Sequence, residues 1–323
     1  MLLRIAVAAT LMVAAGCASD QPEPPAPTPE PSTAGTVVVA AYGSGAGELV
    51  ANTYAAALNG GGIPARVRVA PDSAGALTLL VRGRADLAGV PASDAAAYFT
   101  AAALRASASG PTPGGPTPSA AASGSPTPSA TGLEPSVSLV TDAAAAAGLA
   151  VLATGEAADG GAFAVREVFA ESNSVTSLSD LAEYSESDDV VLASGPGCRR
   201  RPFCLPVLES GYGIRVADLL RVPAGAVATA VEQRRATFGE TRSTDAAVPV
   251  DRLRYLDDDL SLLPPANIVP LIVDASAPDV RAVVDRVQER LTTRDLQLMA
   301  QAVAAGASPA QAADAWVTTN LVE

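Results

Sequence analysis

Between residues 36 and 90, apolar runs alternate with amphipathic segments, and this alternation leaves few folds open to the chain. The first run is continuously apolar, as in a strand that is buried on both faces. The amphipathic segments carry their apolar residues at helical spacing. Predicted strands and helices alternate in the order 36–41, 49–58, 66–69, 72–83 and 85–90. This order predicts an α/β fold with a parallel sheet and right-handed crossovers.

The middle of the chain contains a low-complexity segment followed by a second α/β stretch. Residues 106–132 are rich in Pro, Gly, Ser and Thr and lack apolar periodicity, which predicts a disordered surface insertion. From about residue 133 to 245 the α/β pattern returns. Within it, residues 177–180 resemble a capping box that opens a short helix, and residues 190–193 resemble a strand.

The C-terminal part of the chain is predicted to be helical. One apolar stripe begins after Pro278, a second helix starts at residues 292–295, and Gly306 can end it. Ser308 is a helix cap with Pro309 at the first helical position. We interpret these stripes as core and not as a cofactor site.

The composition excludes several kinds of chemistry. The chain has no lysine and no histidine, which excludes a Ser-His-Asp relay, a Cys-His nucleophile, an HExxH zinc site, a Schiff base and a P-loop lysine. A formal charge of −13 argues against nucleic acid as a partner. No cofactor is predicted.

The N-terminus predicts export and lipidation. Arg4 precedes an apolar run at 5–15 that is too short to span a bilayer and is typical of a secretory signal. Small residues just before Cys17 resemble a bacterial lipobox, which makes Cys17 the acylated N-terminus after cleavage in front of it. The alternative is an ordinary signal peptide with an incidental cysteine. Residues 18–35 are proline-rich and predict an extended tether.

The other two cysteines, Cys198 and Cys204, lie six residues apart in the segment CRRRPFC. Outside the cytoplasm, such a pair predicts a disulfide. No metal site is predicted, because two thiols without a histidine fall short of tetrahedral ligation.

Four separated segments resemble the substrate-binding proteins of ABC importers for glycine betaine, choline and related osmoprotectants. The most specific is the Cys-x5-Cys segment, which ends in Arg-Pro-Phe-Cys and is followed by Leu-Pro and Tyr-Gly. The resemblance covers residues 36–323 without the insertion, and it is stronger after residue 160. The four segments are residues 177–182, residues 195–206 with 212–214, residues 243–245, and residues 264–270 with 291–296.

The resemblance implies a two-lobed fold like that of type II periplasmic binding proteins, with a hinge and a ligand cleft between the lobes. It implies a monomeric binding protein, not an enzyme, that serves ABC permease and ATPase subunits. Together with the predicted lipobox, it implies that this protein is anchored by lipid to the outer face of the bacterial cell membrane. The expected parts are a signal peptide and lipobox (1–17), a tether (18–35), lobe I (36–105 and 246–323), the disordered insertion (106–132) and lobe II (133–245).

The chain departs from the family where an aromatic cage is expected. Such a cage holds a quaternary ammonium through cation–π contacts. The family's Tyr-Thr-Gly-Thr turn is replaced by Pro-Ala-Ser-Asp ending at Asp94, and its Asn-Thr-Tyr by Gly160 and Gly161. An aromatic residue becomes Arg242, and a tyrosine becomes Ala266. The cage is therefore expected to be largely dismantled.

The part that would bind a ligand's carboxylate matches the family better. Arg201 stands in the family's Arg-Pro position and could clamp a carboxylate. The glycine-rich loop at 43–47 either binds an anion through free N–H groups or is a tight turn. Thr244 and Asp245 are ligand contacts or hinge residues, and Asn267 faces the cleft or lies outside it. The predicted ligand-binding residues are Tyr42, Ser44, Asp94, Arg201, Arg242, Thr244, Asp245 and Asn267.

Two hypotheses follow from different functional classes. The first is a solute receptor for an ABC importer, with a quaternary ammonium osmoprotectant or another small zwitterionic or anionic solute as ligand. The second is a receptor-like envelope scaffold that has lost uptake. An envelope hydrolase ranks behind both, because the many Ser and Asp residues lack an identifiable base.

Overall fold

The structure, a computed structural model, describes residues 35–43, 45–108, 133–248, 252–273 and 278–321. Within these ranges the strands form two five-stranded sheets. The first sheet contains β1 (Val37–Tyr42), β2 (Ala65–Ala70), β3 (Leu87–Pro91), β4 (Leu149–Val151) and β10 (Ile268–Val273). The second contains β5 (Gly161–Arg166), β6 (Val190–Ser194), β7 (Val216–Arg221), β8 (Phe238–Arg242) and β9 (Leu253–Tyr255).

Helices accompany both sheets. Those of the first lobe, built around the first sheet, are α1 (Ala46–Gly60), α2 (Ser73–Val81), α3 (Ala92–Ala108), α4 (Leu133–Ala146), α8 (Pro278–Arg290), α9 (Thr293–Ala304) and α10 (Pro309–Asn320). Those of the second lobe, built around the second sheet, are α5 (Glu167–Asn173), α6 (Leu178–Tyr184) and α7 (Val227–Glu232). The α/β class and the two-lobed fold predicted from the sequence are confirmed.

The first sheet has the strand order β2-β1-β3-β10-β4. Strand β1 pairs in parallel with β2 and β3, which confirms the parallel arrangement predicted for residues 36–90. The sheet as a whole is mixed, because β10 returns from the C-terminal part of the chain and pairs antiparallel with β3 and β4. Helices cover this sheet, so its central strands are continuously buried.

The core of the first lobe joins N-terminal and C-terminal helices. Helix α1 buries Leu49, Tyr54 and Leu58 on the face that the sequence pattern predicted. Val284 in α8 and Trp316 in α10 belong to the same hydrophobic cluster. The C-terminal apolar stripes are therefore core, as predicted, except that Ala315, which was expected in the last stripe, is exposed.

The second sheet has the order β7-β6-β8-β5-β9. Strands β6, β7 and β8 run parallel, whereas β5 pairs antiparallel with β8 and β9. Separate hydrophobic clusters pack against it, one around Phe163 and Phe238 and the other around Val227 and Val231. Its strand ends carry much of the site described below.

Two chain segments lie in a different lobe from the one that the sequence predicted. Residues 133–151 were expected in lobe II, but α4 buries Val140 and Ala144 in the first core and β4 pairs with β10. Lobe I was expected to resume at residue 246, but β9 pairs with β5 in the second sheet. Both edge strands are only three residues long, too short for a periodic pattern. The crossovers between the sheets therefore lie at 152–160 and 256–267.

The predicted helix starts are confirmed at three places. Ser177, Thr292 and Ser308 each accept a hydrogen bond from the backbone N–H three residues on, and a reciprocal side chain completes each capping box. Cys17, the tether and all but the first three residues of the insertion lie outside the described residues. Among the described helices, none is long and apolar enough to cross a membrane.

Candidate functional site

A cavity of about 910 Å³ lies between the two sheets. Its first wall is formed by the start of α1, the end of α9 and the start of α10. Its second wall is formed by the ends of β6 and β8 with the adjoining loops. The lining residues are Gly45, Ala46, Glu48, Leu49, Asp159, Gly161, Gly195, Pro196, Arg201, Gly225, Glu240, Thr241, Arg242, Thr244, Asp245, Ala246, Ala300, Val303, Ala304 and Pro309.

The charged groups in this lining are mainly acidic. It contains four carboxylates, from Glu48, Asp159, Glu240 and Asp245, against the two guanidinium groups of Arg201 and Arg242. The formal balance of the lining is therefore −2. Among the described lining residues none is aromatic, so these residues do not form a cation–π cage.

Both guanidinium groups are already paired with carboxylates. Arg201 donates from Nη1 and Nη2 to the two oxygens of Glu240, each at 2.5 Å, and this hydrogen bonding raises the pKa of Arg201. Arg242 pairs with Asp159. Among the described residues, Glu48 and Asp245 have no ion-pair partner. The uncompensated charge of the cavity is thus negative.

Asp159 is the centre of a buried hydrogen-bond network. Its side chain is only 4% exposed. Oδ1 accepts from Arg242 Nε at 3.0 Å and from Thr244 Oγ1 at 2.7 Å. Oδ2 accepts from Tyr42 Oη at 3.0 Å and pairs with Arg242 Nη2 at 2.9 Å. A buried carboxylate requires this kind of compensation.

The network joins both lobes at the first crossover. Tyr42 ends β1 of the first lobe, Arg242 ends β8 of the second, and Asp159 lies in the crossover between them. Burial, and then the charge and hydrogen bond of Asp159, raise the pKa of Tyr42 well above its ordinary value. Desolvation lowers the pKa of Arg242, but the hydrogen bond and charge of Asp159 outweigh it, so that the pKa is raised.

The two crossovers pack tightly against each other beside this network. Asp159 N donates to Ala266 O at 2.9 Å, and Ile268 N donates to Ala157 O at 2.7 Å. A Cβ at Gly160 would lie 2.4 Å from that of Ala266, so the close approach requires glycine at this position. Ser243 Oγ also bridges the first crossover, donating to Ala158 O and accepting from Gly160 N, each at 3.1 Å.

The disulfide predicted between Cys198 and Cys204 is present, with an S–S distance of 2.00 Å. It closes the loop that carries Arg201, whose Nη2 lies 3.7 Å from Cys204 Sγ. The two sulfurs and Glu240 form a compact group, but bonded cysteines present no thiolates to a metal. The disulfide therefore holds the loop of the Arg201–Glu240 pair at the cavity wall.

Comparison with family models identifies the family of the chain. Residues 35–319 match the model of the substrate-binding domain of ABC-type glycine betaine transport systems. The chain belongs to this family. It is a family of extracytoplasmic solute-binding proteins of ABC importers and not of enzymes. No curated protein matches the chain significantly in sequence.

Solved structures with the fold of this substrate-binding domain are only distantly similar in sequence. Apo YehZ from Escherichia coli has a TM-score of 0.73 at 19% identity over 88% of this chain and 98% of its own. A glycine betaine/carnitine/choline ABC transporter structure gives 0.71 at 16% identity over the same shares of the two chains. A choline-binding protein in complex with choline gives 0.50 at 15% identity over 90% of each chain. These likenesses concern the fold alone.

The predicted site residues of this substrate-binding domain that the structure describes fall into three groups. Tyr42, Arg242 and Thr244 meet at Asp159, whereas Arg201 and Asp245 line the cavity without joining that network. Two others lie outside the lining: Asp94 accepts from Ser73 Oγ at 2.6 Å, and Asn267 Nδ2 donates to Gly155 O at 3.1 Å. Ser44 lies outside the described residues.

The sequence did not reveal three charged residues of the site, which are Glu48, Glu240 and, at the centre of the network, Asp159. Asp159 stands in an uninformative loop directly before Gly160 and Gly161, and the resemblance drew attention to the glycines. Its partners Tyr42 and Arg242 are 117 and 83 residues away in the chain. The available signal was an acidic residue directly before Gly160 and Gly161, which are positions that match the family's pocket.

Proposed function

We propose that this chain is the lipid-anchored solute receptor of an ABC importer and that its solute is a small organic cation held in the cavity between the lobes. The observation that carries the proposal is the charge of the lining. Both guanidinium groups are paired with carboxylates, and the two other carboxylates, those of Glu48 and Asp245, have no ion-pair partner. Cations of the quaternary ammonium class, choline above all, are the first candidates because of the family to which the chain belongs.

The physical basis is attraction between a cation and carboxylates that have no ion-pair partner, in a partly enclosed cavity. At an effective dielectric constant of about 20, two unit charges about 4 Å apart attract by about 4 kcal/mol. Glu48 and Asp245 supply this charge from opposite lobes. Leu49, Val303 and Pro196 offer apolar surface for the organic part of the solute.

Capture would close the lobes around the solute by motion at the two crossovers. A cation that contacts Glu48 on the first lobe and Asp245 on the second stabilises the closed state, because only that state offers both contacts. The permease would then bind the closed receptor. An acyl group on Cys17 and the tether at 18–35 would keep the receptor near its permease.

Titration calorimetry of the mature protein tests the proposal. We expect choline or ethanolamine to bind, and acetate not to bind. Glu48→Gln or Asp245→Asn should weaken binding of the cation at least tenfold, whereas Glu209→Gln, an equal change of charge at an exposed residue outside the cavity, should leave it unchanged. Silence toward every cation would contradict the proposal and favour the envelope scaffold.

The anchor is tested separately by metabolic labelling with a radioactive fatty acid. We expect label in the membrane fraction for the wild type. The Cys17→Ser protein should remain unlabelled, and label that persists in this variant would contradict lipidation at Cys17.

A further inference from the structure

The carboxylate of Asp159 occupies the donors that a ligand's carboxylate would need. The edge of Arg242 formed by Nε and Nη2 faces Asp159, and the hydroxyl groups of Tyr42 and Thr244 point to the same two oxygens. This is the arrangement that a carboxylate ligand would itself adopt toward a guanidinium. Here the chain supplies that carboxylate from its own crossover.

A solute with a carboxylate could reach the Nε–Nη2 edge of Arg242 only by displacing Asp159, and at Nη1 it would meet a guanidinium whose charge Asp159 already neutralises. Once displaced, Asp159 would remain nine-tenths or more buried without its counter-charge, which is strongly unfavourable. The second guanidinium of the lining offers no easier route, since Arg201 is held by both oxygens of Glu240. The lining thus contains no described guanidinium free of an acidic partner.

We propose that Asp159 is a specificity-determining residue, which excludes zwitterionic and anionic solutes by neutralising Arg242 from within. The inference rests on the proposed function, because it concerns the solute cavity of the receptor. It adds that this member of a glycine betaine family discriminates against glycine betaine itself and accepts the cation that lacks a carboxylate.

Choline and glycine betaine form a matched pair for the test. Both carry a trimethylammonium group, but choline carries an alcohol where glycine betaine carries a carboxylate. We expect the wild-type protein to bind choline at least tenfold more tightly than glycine betaine in calorimetry. Asp159→Asn should reduce this ratio at least tenfold, because Arg242 becomes available to a carboxylate and the cavity loses a negative charge.

Two further variants separate specificity from a merely structural effect. Asp159→Glu keeps the charge and should keep the preference for choline. Glu186→Gln removes an equal charge from the exposed pair that Glu186 forms with Arg215 at 3.9 Å, outside the cavity, and should leave the ratio unchanged. A structural defect would weaken both ligands together and would not shift the ratio.

The outcomes distinguish this inference from the proposed function. Equal or tighter binding of glycine betaine by the wild type overturns the inference but leaves the receptor intact, and this result needs no variant to fold. A folded Asp159→Asn protein with an unchanged ratio also overturns the role of Asp159. If neither ligand binds and no other cation does, both the inference and the proposed function fail.

Discussion

Replacing Asp159 by alanine should cost the protein about 2–4 kcal/mol of folding stability. The substitution leaves the hydroxyl groups of Tyr42 and Thr244 without an acceptor, and both residues are buried. Each orphaned buried donor costs about 1–2 kcal/mol. The side chain of Arg242 is 57% exposed, so water can solvate its guanidinium and its loss of a partner adds little.

Urea denaturation followed by circular dichroism measures this effect as a lower midpoint at an unchanged slope. Asp314→Ala, at an exposed position of α10, is the matched control and should change stability by less than about 0.5 kcal/mol. Tyr42→Phe removes one of the orphaned donors, so the double variant should be about 1 kcal/mol more stable than the sum of the single effects predicts. Additive single effects, or an Asp159→Ala cost equal to that of Asp314→Ala, would refute the buried network.

Three other perturbations test the surroundings of the site. Reduction of the Cys198–Cys204 disulfide, which closes a loop of sequence separation 6, should lower the free energy of unfolding by about 2 kcal/mol; no change on adding a reductant would contradict this. Gly160→Ala forces a Cβ against Ala266 and should cost about 1–3 kcal/mol, whereas Gly161→Ala meets open space and should not; equal melting temperatures would refute the tight packing. Burial, aided by neighbouring carboxylates, raises the pKa of four tyrosines above the value of about 10 in the unfolded chain, so stability should be lost as the pH rises past that value. In an absorbance titration their phenols should ionise only together with unfolding, and ionisation in the folded protein would count against their burial. These residues are Tyr42, Tyr54, Tyr212 and Tyr255.

Local patterns were sufficient to predict the first three strands of the first sheet, β1, β2 and β3, and the two helices between them. A continuously apolar run predicted β1, and helical spacing predicted the buried face of α1. Caps such as Ser177 and Thr292 marked helix starts because they act on backbone groups only three residues away. Where the interaction is local or repeats along the chain, the sequence carries the signal.

Features that depend on distant pairing were missed. Strands β4 and β9 are recognisable as strands only through their partners β10 and β5, and the expected lobe boundaries were therefore displaced. The expectation that Arg201 grips a ligand carboxylate was made without its partner Glu240, which lies 39 residues away. No sequence pattern near Arg201 or Glu240 indicates a bidentate ion pair, and none near Asp159 indicates its hydrogen-bond network.

A crystal structure of the mature protein with choline tests the central claim most directly. We expect the choline nitrogen in the cavity between the lobes, beside both Glu48 and Asp245, with the pairs Arg201–Glu240 and Arg242–Asp159 intact. Choline bound outside this cavity, or only after either arginine has left its acidic partner, would contradict the claim.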